Sequence, residues 1–305
     1  MHGYPGDGGD DDGILPYLET TLQPRDLAEA LALRAQHPEA LAMAGGTDLM
    51  VELNFDRRRP ERILDLTRVA ELDDWHPDGD DVVIGAGVTY SRIVREMAEV
   101  LPGLAIASRT VGSPQIRNRG TVGGNVATSS PAGDALPPLV ASGAIVELQS
   151  SAGARSVPLE EFCTGPKRNV MAPDELIRAI RLPAARGPQQ FAKVGPRNAM
   201  VIAVCSFAVS LDTRMRTVRA AIGSAAPTVL RATEAEGFLE GVLDEGDHWE
   251  QRSPLPESAA VRFGELVGAA ARPIDDVRGS AAYRRHALSV LGRRTAVWCW
   301  DEYAA

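Results

Sequence analysis

Residues 121–125 (TVGGN) place two glycines side by side among side chains that form hydrogen bonds. Adjacent glycines lack Cβ atoms, so the backbone can adopt φ > 0 and approach a ligand closely. Successive main-chain N–H groups that point into one concavity attract anions. Asp134 follows nine residues after Asn125, and its carboxylate is an acceptor suited to a ribose hydroxyl. The stretch therefore predicts a pocket for an anionic, nucleotide-like ligand.

A second glycine-rich stretch of similar design occupies residues 42–49 (AMAGGTDL). We predict that it lies on a turn between a strand at 40–44 and a helix at 49–55. A single glycine pair is more typical of a tight turn than of a ligand site. Two such stretches, each after an apolar run, predict the two ends of one long ligand.

These motifs together resemble the FAD-binding subunit of the molybdenum hydroxylases, the xanthine dehydrogenase and carbon monoxide dehydrogenase family in its three-subunit form. The resemblance is carried by AGGTD at 44–48, IRNRGTVGGN at 116–125 and SPAGD at 130–134. Further matches are GSAAPT at 223–228 and RGSAAYRR at 278–285. The similarity extends from about residue 15 to about residue 294, nearly the whole chain.

The resemblance implies that this chain binds FAD without a covalent bond and that no side chain of its own is catalytic. The two stretches would contact the diphosphate and ribityl groups, Asp134 a ribose hydroxyl, and Val111, Ile177 and Lys193 the surroundings of the ring system. The implied cofactor-binding residues are Ala42, Met43, Ala44, Gly45, Gly46, Thr47, Asp48, Leu49, Val111, Ile116, Thr121, Val122, Gly123, Gly124, Asn125, Asp134, Ile177 and Lys193.

The family role implied for the chain is electron transfer from iron–sulfur clusters to NAD or another acceptor, as in xanthine dehydrogenase. Partner chains, an iron–sulfur small subunit and a molybdenum large subunit, would carry the 2Fe-2S clusters and the molybdenum cofactor in a dimer of heterotrimers. One alternative is the medium subunit of a carbon monoxide or aldehyde dehydrogenase-type complex. Another is a nucleotide-binding assembly protein without redox activity.

The charge and the cysteines of the chain exclude several other classes of function. A net charge of −9 argues against nucleic acid and an anionic membrane surface as partners. No apolar run reaches the length of a membrane span, so we expect a cytoplasmic protein. Three scattered cysteines cannot hold an iron–sulfur cluster. The five histidines form no hydrolase or metal motif, so we predict no metal site.

Strands and helices alternate irregularly along the first half of the chain, which favours an α+β architecture over a doubly wound parallel sheet. We predict a disordered lead-in at 1–13 and a PCMH-type FAD-binding domain at 14–185, with two subdomains split near 60–70. A domain of a small antiparallel sheet plus helices follows at 190–305. The linker between them is punctuated by Pro183, Gly187 and Pro188.

Residues 85–90 (GAGVTY) resemble the opening of a dinucleotide-binding fingerprint, but Tyr90 stands where the third glycine is required. We therefore predict a helix start here, with Thr89 or Ser91 near the N-cap, and no Rossmann domain. Residues 72–75 and 82–85 are predicted to form the strands of a hairpin. The arginine-rich helix faces, with Arg57, Arg58, Arg59, Arg284, Arg285, Arg293 and Arg294, are predicted to be solvated.

Overall fold

The structure, a computed structural model, describes residues 18–305. The lead-in predicted at 1–13 lies outside these residues. The described chain forms three sheets of three, five and four strands, together with a two-stranded ribbon and twelve α-helices. Helices and strands are mixed throughout, and the predicted α+β fold class is confirmed.

The N-terminal part of the chain forms a three-stranded parallel sheet that carries the first glycine-rich stretch. Its elements are β1 (Thr20–Leu22), α1 (Leu27–Gln36), β2 (Leu41–Met43), α2 (Leu49–Asn54) and β3 (Arg62–Asp65). The strand order is β1-β3-β2. Asp26 caps α1 by accepting a hydrogen bond from the main-chain N–H of Glu29 at 2.8 Å, and Ala30, Leu31 and Leu64 pack beneath the sheet.

A five-stranded antiparallel sheet forms the second part and is flanked by six helices. Its elements are β4 (Trp75–Asp78), β5 (Asp81–Gly85), α3 (Tyr90–Glu96), α4 (Pro102–Arg109), α5 (Pro114–Arg119), α6 (Val122–Thr128), α7 (Leu136–Ala141), β6 (Ile145–Ser150), β7 (Gly153–Pro158), α8 (Leu159–Phe162), β8 (Cys163–Gly165), β9 (Arg168–Asn169) and β10 (Leu176–Pro183). The sheet order is β4-β5-β10-β6-β7, and β8 pairs with β9. Thr89 is the N-cap of α3, as predicted.

The predicted hairpin is shifted along the chain. Residues Ala70–Leu72 form one turn of 3₁₀ helix, and the strand begins only at Trp75. The main-chain oxygens of Leu72 and Asp74 accept hydrogen bonds from the N–H groups of Gly87 and Gly85. Those bonds hold the chain in a turn against the end of β5, where the sequence indicated a strand.

The C-terminal part is a four-stranded antiparallel sheet packed against helices. Its elements are β11 (Gln189–Val194), β12 (Cys205–Asp212), β13 (Thr217–Gly223), β14 (Leu230–Arg231), α9 (Thr233–Glu245), α10 (His248–Gln251), α11 (Glu257–Ala270) and α12 (Ala281–Ala304). None of the helices described for residues 18–305, including the 24-residue α12, combines the length and the apolar character of a membrane span.

Strand β12 is buried on both faces and so ties the second and third parts of the chain together. Phe207 and Val209 belong to the core shared with α11 and α12, whereas Ala208 joins the core of the five-stranded sheet. Successive side chains of a strand point to opposite faces, which accounts for this division. The predicted domain boundary, between Pro183 at the end of β10 and Gln189 at the start of β11, stays a prediction.

One arginine departs from the prediction of a solvated helix face. Arg284 on α12 is 4% exposed, and its guanidinium donates to the main-chain oxygen of Ser224 at 2.8 Å and to Asp276 at 2.5 Å. The prediction for Arg284 is wrong, because neighbouring positions of a helix face different directions. Arg285, Arg293 and Arg294 are exposed as predicted.

Glu96 connects α3 to β4, and its ionised carboxylate is predicted to make the stability of the fold depend on pH. Its carboxylate accepts hydrogen bonds from Arg92 and from the indole N–H of Trp75 at 2.9 Å, and Arg92, followed by Trp75, lowers the pKa of Glu96 to about 2. A depressed pKa stabilises the fold above the unfolded pKa, near 4.5, and this contribution is lost as the pH falls through 2. Glu96→Gln is therefore expected to lower the thermal unfolding midpoint at pH 7.

The difference between Glu96→Gln and the unchanged chain is expected to narrow steadily below pH 4.5 in thermal melts followed by circular dichroism. Glu99→Gln, at an exposed position just after α3, is the matched control and should show no such trend. An equal loss for Glu96→Gln at every pH would contradict the role given to the ionised carboxylate.

Candidate functional site

The first glycine-rich stretch connects β2 to α2 in a tight turn, as predicted. Gly46 has φ of +73°, a conformation that favours glycine. The main-chain N–H groups of Gly45, Gly46 and Thr47 donate no hydrogen bond to any residue among 18–305. Gly45, Gly46 and Thr47 are half-buried, and this turn therefore presents unpaired main-chain donors to a ligand.

The two glycine-rich stretches lie in direct backbone contact. A Cβ added to Gly45 would stand 1.8 Å from the main-chain oxygen of Arg119, just before the second stretch. The hydroxyl of Thr128 also donates to Asp48 Oδ2 at 3.2 Å, from the end of α6 to the first turn. Only a residue without a side chain permits this approach, and the two stretches therefore form a single site.

The second stretch is the first turn of a helix and not the anion-binding concavity of main-chain N–H groups that the sequence indicated. Thr121 is the N-cap of α6, and its Oγ1 accepts a hydrogen bond from the N–H of Gly124 at 3.0 Å. The N–H of Gly123 donates to the main-chain oxygen of Ala86 at 3.0 Å. Neither glycine has a positive φ. The expectation that these two N–H groups are free for a ligand is wrong, because the helix start and the neighbouring strand end already use them.

The two glycines of this helix have different surroundings. A Cβ on Gly123 would lie 2.4 Å from Ala86 Cβ and 2.6 Å from its main-chain oxygen, so Gly123 allows α6 to pack against the end of β5. A Cβ on Gly124 would meet only Thr121 Oγ1, at 2.9 Å. Gly124 borders open space, and it keeps that space free.

The open space is a cleft of about 800 Å³ between the two stretches, with a smaller cavity of about 240 Å³ beside it. Known small-molecule sites fall in the range of roughly 300–1,000 Å³. The cleft or the cavity is lined by most of the residues predicted from the sequence: Ala42, Met43, Ala44, Gly45, Gly46, Thr47, Asp48, Leu49, Val111, Ile116, Thr121, Gly123, Gly124, Asn125, Asp134 and Ile177.

Two predicted residues do not line either space. Val122 is the first residue of α6, and its side chain is fully buried in the core, where it anchors the helix. Lys193 lies on β11, where its ammonium donates to Asp134 Oδ2 at 2.5 Å, to Thr110 O at 2.9 Å and to Val201 O at 3.2 Å. Lys193 therefore reaches the cleft through Asp134.

Asp134 and Lys193 form a buried ion pair at one end of the cleft. Each side chain is 9% exposed. Burial raises the pKa of the Asp134 carboxyl, and Lys193 and Thr110 act against this rise. Oδ1 of Asp134 has no hydrogen-bond partner among residues 18–305. One oxygen of the carboxylate thus fixes its position, and the other is left for a further partner.

A second group of charged side chains at the cleft consists of two cations and one carboxylate. Arg58 and Lys167 both line the cleft and both pair with Glu52, Arg58 at 2.9 Å, so this group has one uncompensated cation. Arg34 also borders the cleft, and its Nε is buried without a partner among the described residues. Cations beside open N–H donors suit a phosphate-containing ligand.

Arg34 and Tyr90 line the cleft and Thr110 contacts Asp134, and none of these three residues was predicted from the sequence. Arg34 occupies an ordinary polar position of α1, and Thr110 follows α4. In the sequence, Tyr90 is distinctive only because it stands where a dinucleotide fingerprint requires glycine. Nothing in the spacing of these residues indicates that they meet, since they come from separate elements.

The groups that border the cleft fit a dinucleotide such as FAD. Unpaired N–H groups of a glycine turn, three cations and an unpaired carboxylate oxygen border one cleft, and the apolar side chains of Val111 and Ile177 border the cleft and the adjoining cavity. No group of three or more His, Cys, Asp or Glu side chains within residues 18–305 is placed to hold a metal ion.

Comparisons with known proteins agree with this geometry. Residues 18–185 match the family model for the FAD binding domain in molybdopterin dehydrogenase, and residues 190–298 match the CO dehydrogenase flavoprotein C-terminal domain. The chain is 32% identical to the nicotine 6-hydroxylase medium subunit of Paenarthrobacter nicotinovorans, over 90% of this chain and 94% of that protein. It is 30% identical to a putative xanthine dehydrogenase FAD-binding subunit of Escherichia coli (strain K12), over 88% of this chain and 91% of that protein.

A solved structure is similar over nearly its whole length. It is a carbon monoxide dehydrogenase from Hydrogenophaga pseudoflava that lacks the Mo-pyranopterin moiety of the molybdenum cofactor. Its matching chain is 29% identical, with a TM-score of 0.83 over 93% of this chain and 98% of that one. The arrangement of sheets and helices described above is therefore one that occurs in a solved oxidoreductase.

Proposed function

The chain belongs to the family of FAD-binding subunits of molybdopterin dehydrogenases, and we propose on this premise that it is the electron outlet of a xanthine dehydrogenase-like complex. When bound, FAD supplies both one-electron and two-electron chemistry. The observation that carries the proposal is the single cleft of about 800 Å³ that both glycine-rich stretches line.

We propose distinct roles for the residues around this cleft. The free N–H groups of Gly45, Gly46 and Thr47 bind the diphosphate, with Arg58 and Lys167 offsetting its charge. Gly123 allows α6 to pack closely against the end of β5, and Gly124 leaves the cleft beside α6 open for the cofactor. Asp134 accepts from a sugar hydroxyl, held in position by Lys193. Residues 14–185 would form the FAD-binding domain and residues 190–305 the C-terminal domain.

The partners follow from the same premise. We propose an assembly with an iron–sulfur small subunit and a molybdenum large subunit as a dimer of heterotrimers in the cytoplasm, with NAD or another electron acceptor. Similarity to a xanthine dehydrogenase FAD-binding subunit over most of the chain supports this choice. The similar carbon monoxide dehydrogenase structure supports the alternative, a medium subunit of a carbon monoxide-type complex.

Purification of the chain tests whether it binds FAD. Purification of its complex tests which partner subunits it has. The chain alone is expected to be yellow and to release FAD, identified by mass spectrometry after denaturation. A colourless chain that binds ADP but no flavin would contradict the proposal and favour a nucleotide-binding assembly protein. Reduction of NAD by the purified complex with xanthine, but not with carbon monoxide, would separate the two complex types.

A further inference from the structure

The buried polar atoms without partners concentrate at the cleft. Native proteins pair nearly all such atoms with protein or water. Of eight buried side-chain N and O atoms without a hydrogen-bond partner among residues 18–305, four belong to residues that line the cleft: Arg34, Tyr90, Asn125 and Asp134. Such a concentration indicates groups whose partner is a ligand.

Tyr90 is the one neutral donor of this set, since Oδ1 of Asn125 and of Asp134 can only accept. Tyr90 is the first residue of α3 and is 3% exposed. Its ring packs against Gly120, where an added Cβ would lie 3.3 Å from Cδ2 and Cε2. Burial, together with the charges of Asp134 and Asp48, raises the pKa of Tyr90 well above its ordinary value. The hydroxyl therefore keeps its proton and can donate a hydrogen bond.

The unpaired atoms of Tyr90, Asn125 and Asp134 match hydroxyl groups and not phosphate, whereas the cationic Arg34 suits phosphate. Of the two carboxylates that act on Tyr90 electrostatically, Asp134 acts more strongly than Asp48, and the unpaired Oδ1 of Asp134 would repel a phosphate in contact with it. A sugar hydroxyl both donates and accepts, so a chain of hydroxyls can satisfy Asn125 Oδ1, Asp134 Oδ1 and the Tyr90 hydroxyl together. The free N–H groups that suit the diphosphate lie on the other stretch, at Gly45 to Thr47.

We propose that Tyr90, with Asn125 and Asp134, binds the hydroxyl groups of the sugar part of the bound nucleotide, and that Tyr90 thereby positions the cofactor. This inference rests on the proposed binding of FAD. Tyr90 has no partner in the protein itself among the described residues, so its hydroxyl acts on the ligand and not on the fold.

The test is Tyr90→Phe, which removes one oxygen and keeps the ring. FAD is added to the cofactor-free full-length chain, and binding is followed by flavin fluorescence. The variant is expected to bind FAD about tenfold more weakly, the effect of one buried hydrogen bond. The thermal midpoint of the cofactor-free variant is expected to be unchanged or higher, because removing an unpaired buried hydroxyl does not harm the fold.

The control is Tyr303→Phe, which removes a hydroxyl that donates to the main-chain oxygen of Trp249 at 3.0 Å in the C-terminal part. It is expected to lower the midpoint and leave FAD affinity unchanged. Riboflavin and ADP then serve as separate probes. Weaker binding of riboflavin alone assigns Tyr90 to the ribityl chain, and weaker binding of ADP alone assigns it to the ribose.

Three outcomes count against the inference. Unchanged FAD affinity for Tyr90→Phe would overturn it and leave the proposed function intact. A lower midpoint in the cofactor-free variant, with a matching loss of affinity, would give Tyr90 a structural role and also overturn it. Failure of the unaltered chain to bind FAD would contradict both this inference and the proposed function.

Discussion

Gly124→Val is expected to give a folded but colourless protein. The new Cβ meets only Thr121 Oγ1, at 2.9 Å, and the rest of the side chain extends into the cleft and the adjoining cavity, both of which Gly124 lines. Valine has little freedom at χ1 and cannot turn away from the ligand space. Loss of the N-cap hydrogen bond costs about 1 kcal/mol, which removal of a helical glycine partly offsets.

The measurement is the flavin content per chain together with the thermal midpoint. Gly237→Val provides the matched control, since Gly237 is exposed on α9 and an added Cβ meets nothing within 4 Å. The control is expected to retain its flavin fully. A Gly124→Val chain that stays as yellow as the control would show that the space in front of α6 is not the cofactor site.

The first glycine-rich stretch could be predicted because its local constraint is visible in the sequence. Gly46 adopts φ of +73° between a strand and a helix, a conformation for which glycine is preferred. The predicted strand and helix appear at Leu41–Met43 and Leu49–Asn54. Here local propensity and tertiary structure agree, so residue types alone were sufficient.

The second stretch could be located but not correctly described from sequence. Two adjacent glycines lower helix propensity, and the sequence therefore indicated a ligand-binding concavity and not a helix start. Tertiary contacts decide otherwise: the N–H of Gly123 bonds to Ala86 and that of Gly124 to Thr121. The glycines are needed for the 2.4 Å approach to Ala86 Cβ, a requirement that only the folded chain reveals.

Other parts of the site depend on contacts between distant residues. Asn125 and Asp134 were predicted from their motifs, whereas Tyr90 looks ordinary in sequence, and only the fold brings the three to one cleft with unpaired atoms. Lys193 was placed near the ring end by resemblance. The structure shows it bonded to Asp134 and Thr110 across separations of 59 and 83 residues. Pairings of that kind have no local signal.

The Lys193 pair also connects two parts of the fold at the site. Lys193 belongs to β11 of the C-terminal sheet and Val201 to the loop between β11 and β12, while Thr110 and Asp134 belong to the helical layer of the preceding part. The Lys193 ammonium therefore fixes the Asp134 carboxylate, which faces the cleft. The same hydrogen bonds attach the C-terminal part to the preceding part of the chain. Stability and cofactor retention should respond together when this group is removed.

Lys193→Met is accordingly expected to destabilise the chain by about 3–5 kcal/mol, because it leaves the Asp134 carboxylate buried without its charged partner. Asp134→Asn should cost less, since the Lys193 ammonium keeps two main-chain acceptors, Thr110 O and Val201 O. The double variant, with neither charge, is expected to recover most of the loss. Free energies of unfolding from denaturant titration of all four chains measure the coupling.

The loss in Lys193→Met is expected to depend on pH with a defined sign. Burial already raises the pKa of Asp134, and without Lys193 nothing of comparable strength opposes it. A group whose folded pKa is raised above its unfolded pKa destabilises the fold as the pH rises past the unfolded value, near 4. The deficit should therefore be small at pH 4 and grow toward pH 7, whereas the double variant should show no such growth. A deficit independent of pH would mean that lost packing, and not the unpaired carboxylate, destabilises the variant.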